Sequence, residues 1–123
     1  FEVTYPSGMD VYDAYLKKDD LKHHYLFDKI VDKEWLRKCL KPAIDFVRER
    51  NCLLYCGEYG VIEHASSQAR LSWHKDFSDL LMEYGIGRAV WTYKLKSFPI
   101  VDKASVIISK ELVDIVSKKT SDY

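Results

Sequence analysis

The chain has 123 residues, enough for one small domain with a modest core. It is 47% hydrophobic and 14% aromatic, a globular rather than disordered composition, and 19 basic residues balance 19 acidic ones. That neutrality gives no support to a nucleic-acid-binding face, and no apolar run approaches the ~20 residues of a bilayer span. Neither nucleic acid nor a membrane is an expected partner. The start at Phe1, with no methionine and no charged-then-apolar leader, reads as a processed product or a fragment.

Residues 1–31 show no clean periodicity. A Tyr-Pro-Ser-Gly turn at 5–8, the tyrosines Tyr5, Tyr12, Tyr15 and Tyr25, and the charged run Lys17–Asp20 describe a long connection, a kind of segment that commonly carries function. A helix is expected from an Asp32 cap to Arg50, with Leu36, Cys39, Leu40, Ala43, Ile44 and Val47 as its apolar stripe. Pro42 should kink or split it, and Asn51 suits a left-handed exit.

Cys52 to Cys56 is apolar throughout, as a strand covered on both faces should be. A second helix follows over Ser67 to Tyr84, with the stripe Trp73, Phe77, Leu80, Leu81 and Tyr84, and Gly85 and Gly87 end it. A second strand is expected at Arg88 to Tyr93, irregular chain from Lys94 to Ser105, and a last helix over Ser109 to Lys118. Val106 to Ile108 fits either a strand or a lead-in to that helix. Cys39, Cys52 and Cys56 contain no Cys-x-x-Cys pair, and Cys52 and Cys56 lie ~13 Å apart on an extended chain, too far for a disulfide. All three read as small buried hydrophobes.

Strands joined by amphipathic crossover helices pair in parallel with right-handed connections. Two strands cannot cover three helices or satisfy their own edges. The chain therefore reads as the C-terminal part of a larger α/β domain.

In parallel α/β folds, functional groups gather where strands end at their carboxyl side. Glu58 holds that position after the first strand, and Trp91 and Tyr93 hold it after the second. An acid beside a flat aromatic surface suits a sugar, whose C–H faces pack on an indole while carboxylates do the chemistry. Taken singly, Glu58 also reads as a capping or salt-bridging residue and Trp91 as a core aromatic; the pair is more telling than either. His64, just past Glu58, could line the cleft, and Lys94 could touch sugar beside Tyr93. His23, His24, His64 and His74 lack metal-ligand spacing, so they are expected to face solvent, and no metal or other cofactor is called for. Glu63 reads as a solvated loop acid.

The stretch LLYCGEYGVI, the SWHKDF of the second helix, GIGRAVWTYK and SFPIVD together resemble the C-terminal part of glycoside hydrolase family 5, the cellulase-like (β/α)8 barrels. The resemblance is specific over about residues 42–102 and implies that the two strands are strands 7 and 8 of a TIM barrel. Residues 1–123 would be the C-terminal part of one catalytic domain, with 1–31 the long loop between strand 6 and helix 6. It also implies Glu58 as nucleophile and Trp91 as sugar platform. Pro99 stands where glycine is usual. The family's acid/base Glu follows an Asn at the end of strand 4, and the chain holds no Asn-Glu dipeptide. The expected parent is a retaining hydrolase of a β-linked glucan, its substrate a carbohydrate. The upstream half of the barrel, or an oligomeric partner, is needed to complete the sheet. Export or a periplasmic location follows from the resemblance alone. Two other readings compete: a non-catalytic carbohydrate-binding or scaffold module, and an unrelated α/β domain that buries its half-sheet by oligomerising.

Overall fold

A computed structural model describes residues 4–8, 30–94 and 96–119. The expectations on Tyr12, Tyr15, Lys17–Asp20, His23, His24 and Tyr25 fall outside the described residues. Ser7–Gly8 (β1) pairs antiparallel with Ile30–Val31 (β2), Ser7 opposite Val31 and Gly8 opposite Ile30. The expected turn at 5–8 is therefore a bend running into a strand, because its backbone finds a partner just ahead of the first helix. Tyr5 is buried there, and its hydroxyl donates to Asp76 Oδ2 at 2.9 Å.

Helix α1 spans Lys33–Arg50. Asp32 Oδ1 accepts from Trp35 N at 3.0 Å to start it, and Asn51 ends it in left-handed geometry at φ 46 and ψ 53. Pro42 lies on the exposed face, and the helix continues through it unsplit. Leu36 and Ile44 are buried, but Cys39, at the flank of the stripe, is exposed, and Cys52 and Cys56 are only half-buried. None of the three cysteines is therefore a core residue.

Tyr55–Tyr59 (β3), Ser67–Glu83 (α2) and Gly87–Val90 (β4) form one crossover unit, with β3 and β4 paired in parallel. Lys110–Val116 (α3), capped by Ser109, packs on α2, which also meets α1. The first strand of the crossover lies three residues later than the apolar run suggested. Pairing exists only where a partner exists, and the partner starts at Gly87, whose N–H donates to Leu54 O at 3.1 Å. Leu53 is left 96% exposed rather than covered.

The sheet is covered on one side. Leu36, Ala65, Ala69 and Leu80 pack beneath it with Tyr5 and Val31, flanked by Trp35, Trp73 and Phe77. Tyr55, 64% exposed, lies on the other side, where its ring covers Gly87: a Cβ there would fall 2.8 Å from Tyr55 Cδ2. Leu53 and Tyr55 are thus large apolar side chains left exposed around the start of β3. Among the described residues no helix is long and apolar enough to cross a membrane.

Candidate active site

The end of β3 is shaped by a bulge. Cys56 pairs with Arg88 and Tyr59 with Val90, so three steps on β3 match two on β4, and Gly57–Glu58 carry one residue too many. Bulges re-aim side chains. Here Tyr59 turns into the helical layer at 6% exposure while its neighbour Glu58 stays exposed. The Tyr59 ring sits 5.4 Å from Phe77 and 6.4 Å from Trp73, centroid to centroid, and its hydroxyl lies 3.2 Å from Ser78 Oγ. Glu58 is thus carried by a strand end pinned from behind, one residue away.

β4 brings the aromatic side. Trp91 N donates to Tyr59 O at 2.7 Å, which joins the two strand ends at the level of Glu58. Gly60 makes this approach possible: a Cβ there would fall 2.3 Å from Trp91 O and 3.4 Å from Phe98. Trp91 is 40% exposed, and its peptide bond to Thr92 is cis. Glu58 and Trp91 therefore stand exposed on adjoining parallel strand ends.

The chain beyond Trp91 folds back on itself. Thr92 N donates to Phe98 O at 2.9 Å, Ile100 N to Thr92 O at 3.0 Å and Val101 N to Tyr93 O at 3.0 Å. Tyr93 is exposed, two residues past Trp91. Lys94 donates from Nζ to Ser105 Oγ at 2.6 Å, which leaves two of its three ammonium protons free for another acceptor. His64 is exposed in the turn after β3, beside exposed Glu63, whose N–H donates to Ser97 O at 2.7 Å. Among the described residues no group of three His, Cys, Asp or Glu is placed to hold a metal ion.

Behind both strand ends lies a polar row on α2 that sequence reasoning missed. Arg70, His74 and Ser78 are all buried. His74, expected to face solvent, is 2% exposed, because its turn of α2 lies under β3. Its Nδ1–H donates to Arg70 O at 2.8 Å, since a carbonyl can only accept, and burial pushes its pKa below the usual histidine value. Arg70 donates from Nη2 to Pro99 O at 2.7 Å. The spacing of four between these polar residues was the available signal: it places all three on one helical face.

No family model matches the chain. Endoglucanase C of Acetivibrio thermocellus is 40% identical over 120 residues, covering 95% of this chain and 35% of the relative. Endoglucanase C307 of Clostridium sp. (strain F1) matches with the same figures. The likeness thus runs well outside residues 42–102, while the chain spans 35% of the length of these curated relatives. Among solved structures, endoglucanase Cel5A from the hyperthermophilic Thermotoga maritima superposes at a TM-score of 0.62 with 17% identity, over 78% of this chain and 30% of that one. The shared fold is therefore that of part of a cellulase TIM barrel. By this kinship the chain belongs with the cellulase-like glycoside hydrolases of family 5.

Proposed function

We propose that the chain supplies the nucleophile and one aromatic wall of a retaining β-glucan hydrolase. In this reading β3 and β4 are strands 7 and 8 of a (β/α)8 barrel, residues 1–31 belong to the loop between strand 6 and helix 6, and the uncovered face of the sheet is the barrel interior. The observation that carries it is the pairing of exposed Glu58 and exposed Trp91 across the Trp91 N to Tyr59 O hydrogen bond of 2.7 Å.

The chemistry needs two carboxyl groups ~5 Å apart. A protonated acid, contributed from outside this chain, gives its proton to the leaving glycosidic oxygen. Ionised Glu58 attacks the anomeric carbon, and water later displaces the glycosyl group with the same acid now acting as base. Trp91 stacks on a pyranose face beside the scissile bond. Tyr93, His64 and the free donors of Lys94 border the same subsite. The endoglucanase names of the relatives favour a β-linked glucan as substrate.

The test is covalent trapping in the full-length protein that carries this chain. An activated 2-deoxy-2-fluoro cellobioside should leave one glycosyl adduct on the peptide containing Glu58, and product should keep the anomeric configuration. An adduct on another carboxylate, or inversion, rejects the assignment.

A further inference from the structure

The segment that follows Trp91 is held at a single buried charged point. Phe98, Pro99 and Ile100 form a strap against Thr92: Thr92 N donates to Phe98 O at 2.9 Å, and Ile100 N donates back to Thr92 O at 3.0 Å. Pro99, the middle residue, is buried and makes no backbone donation of its own, because proline lacks an N–H. Its carbonyl instead accepts from Arg70 Nη2 at 2.7 Å. Arg70 is 8% exposed and rises from the first turns of α2. A second tie joins the strap to the turn after β3, through Glu63 N and Ser97 O at 2.7 Å.

From this arrangement we infer that Arg70 is a positioning residue for the Trp91 platform: it sets the height and tilt of the indole by anchoring the strap to which Thr92 is bonded on both sides. The inference rests on Trp91 being the sugar platform. Arg70 is buried and bonds the Pro99 carbonyl, so its effect on the platform passes through that carbonyl and the two Thr92 hydrogen bonds. A hydrogen bond from a charged donor to a buried carbonyl is stronger than a neutral one and directional, as an anchor requires. The same helix pins β3 through Tyr59, so one element fixes both halves of the site.

The experiment is a double-mutant cycle in the full-length protein, with KM and kcat read on a soluble β-1,4-gluco-oligosaccharide. Trp91→Ala and Arg70→Gln are each expected to raise KM about tenfold, a loss on the scale that small misplacements produce, with kcat changed far less. In the double variant, KM should be no higher than in Trp91→Ala alone, because the platform that Arg70 positions is gone. A merely structural role for Arg70 would instead act on either background. The same cycle with Arg70→Lys, a gentler change at a buried site, should give a smaller rise in KM that also vanishes on the Trp91→Ala background. An unchanged KM in Arg70→Gln, or single effects that multiply in the double variant, overturns the inference while leaving the platform reading intact. An unchanged KM in Trp91→Ala overturns both.

Discussion

The backbone N–H of Trp91 donates to the carbonyl of Tyr59 at 2.7 Å, tying the first residue beyond β4 to the last residue of β3. This bond joins the residue that carries an exposed indole to the strand end that carries exposed Glu58, and Tyr59 itself is buried against α2. The candidate site sits at a strand end, where the ladder holds Tyr59 and the strap of Phe98–Ile100 holds Thr92.

Glu58→Gln in the full-length protein should cut turnover of a soluble β-glucan by on the order of 10⁴-fold or more, the scale on which enzymes lose a nucleophile. Glu58 is exposed and makes no side-chain hydrogen bond among the described residues, so thermal stability should change by less than about 0.5 kcal/mol. Retained turnover refutes the nucleophile assignment.

Under the proposed mechanism the purified 123-residue chain should show no glucan hydrolysis, because that reading takes the acid from outside it. Turnover that co-elutes with homogeneous chain would contradict this.

The three glycines near the site should respond to alanine in a fixed order. Gly60→Ala should cost the most, about 1–3 kcal/mol in thermal or denaturant unfolding, because the new Cβ meets backbone at 2.3 Å. Gly87→Ala should cost less, since the 2.8 Å contact is with the Tyr55 ring, which can rotate away. Gly57→Ala should be tolerated, with nothing closer than 3.9 Å. The reverse order would show that the strand ends are packed differently.

Tyr59→Phe keeps the ring contacts but removes the partner of buried Ser78 Oγ at 3.2 Å, so a loss of about 0.5–1.5 kcal/mol is expected. Tyr59→Ala should cost about 3–5 kcal/mol by opening a cavity under β3. Equal costs for the two would mean that the ring contributes nothing.

His74 sets a pH dependence. Burial lowers its pKa in the folded chain, so below the ordinary histidine value of about 6.5 the unfolded state binds a proton that the folded state refuses. Stability from this residue is complete above that value and is lost as pH falls through it toward the depressed folded pKa. His74→Gln should flatten the stability profile in that window, measured by unfolding at a series of pH values. An unchanged slope would place the protonation elsewhere.

Much of this was legible in the residues. The cap at Asp32 and the left-handed exit at Asn51 are local devices, written in side-chain chemistry within four residues of where they act. The α2 stripe of Trp73, Phe77, Leu80 and Leu81 follows from periodicity in the same way. Glu58 and Trp91 could be singled out because strand order determines which ends adjoin. What failed were statements about pairing partners and depth. The run Cys52 to Cys56 has the composition of a buried strand, yet Leu53 is exposed, since cover for it must come from another layer. His74 was expected to face solvent and Arg70 was not singled out, yet both are buried, His74 beside Tyr59 of β3 and Arg70 against Pro99 of the strap.

The sequence by itself thus determined the three helices, the strand–helix–strand order between them and the two residue types brought to adjoining strand ends, all properties of short stretches of chain. Only the tertiary structure decided the bulge at Gly57–Glu58 that turns Tyr59 inward and leaves Glu58 outward, and the strap that Arg70 holds at Pro99. Those features depend on register and on contacts between segments about 30 residues apart, and no local propensity encodes them.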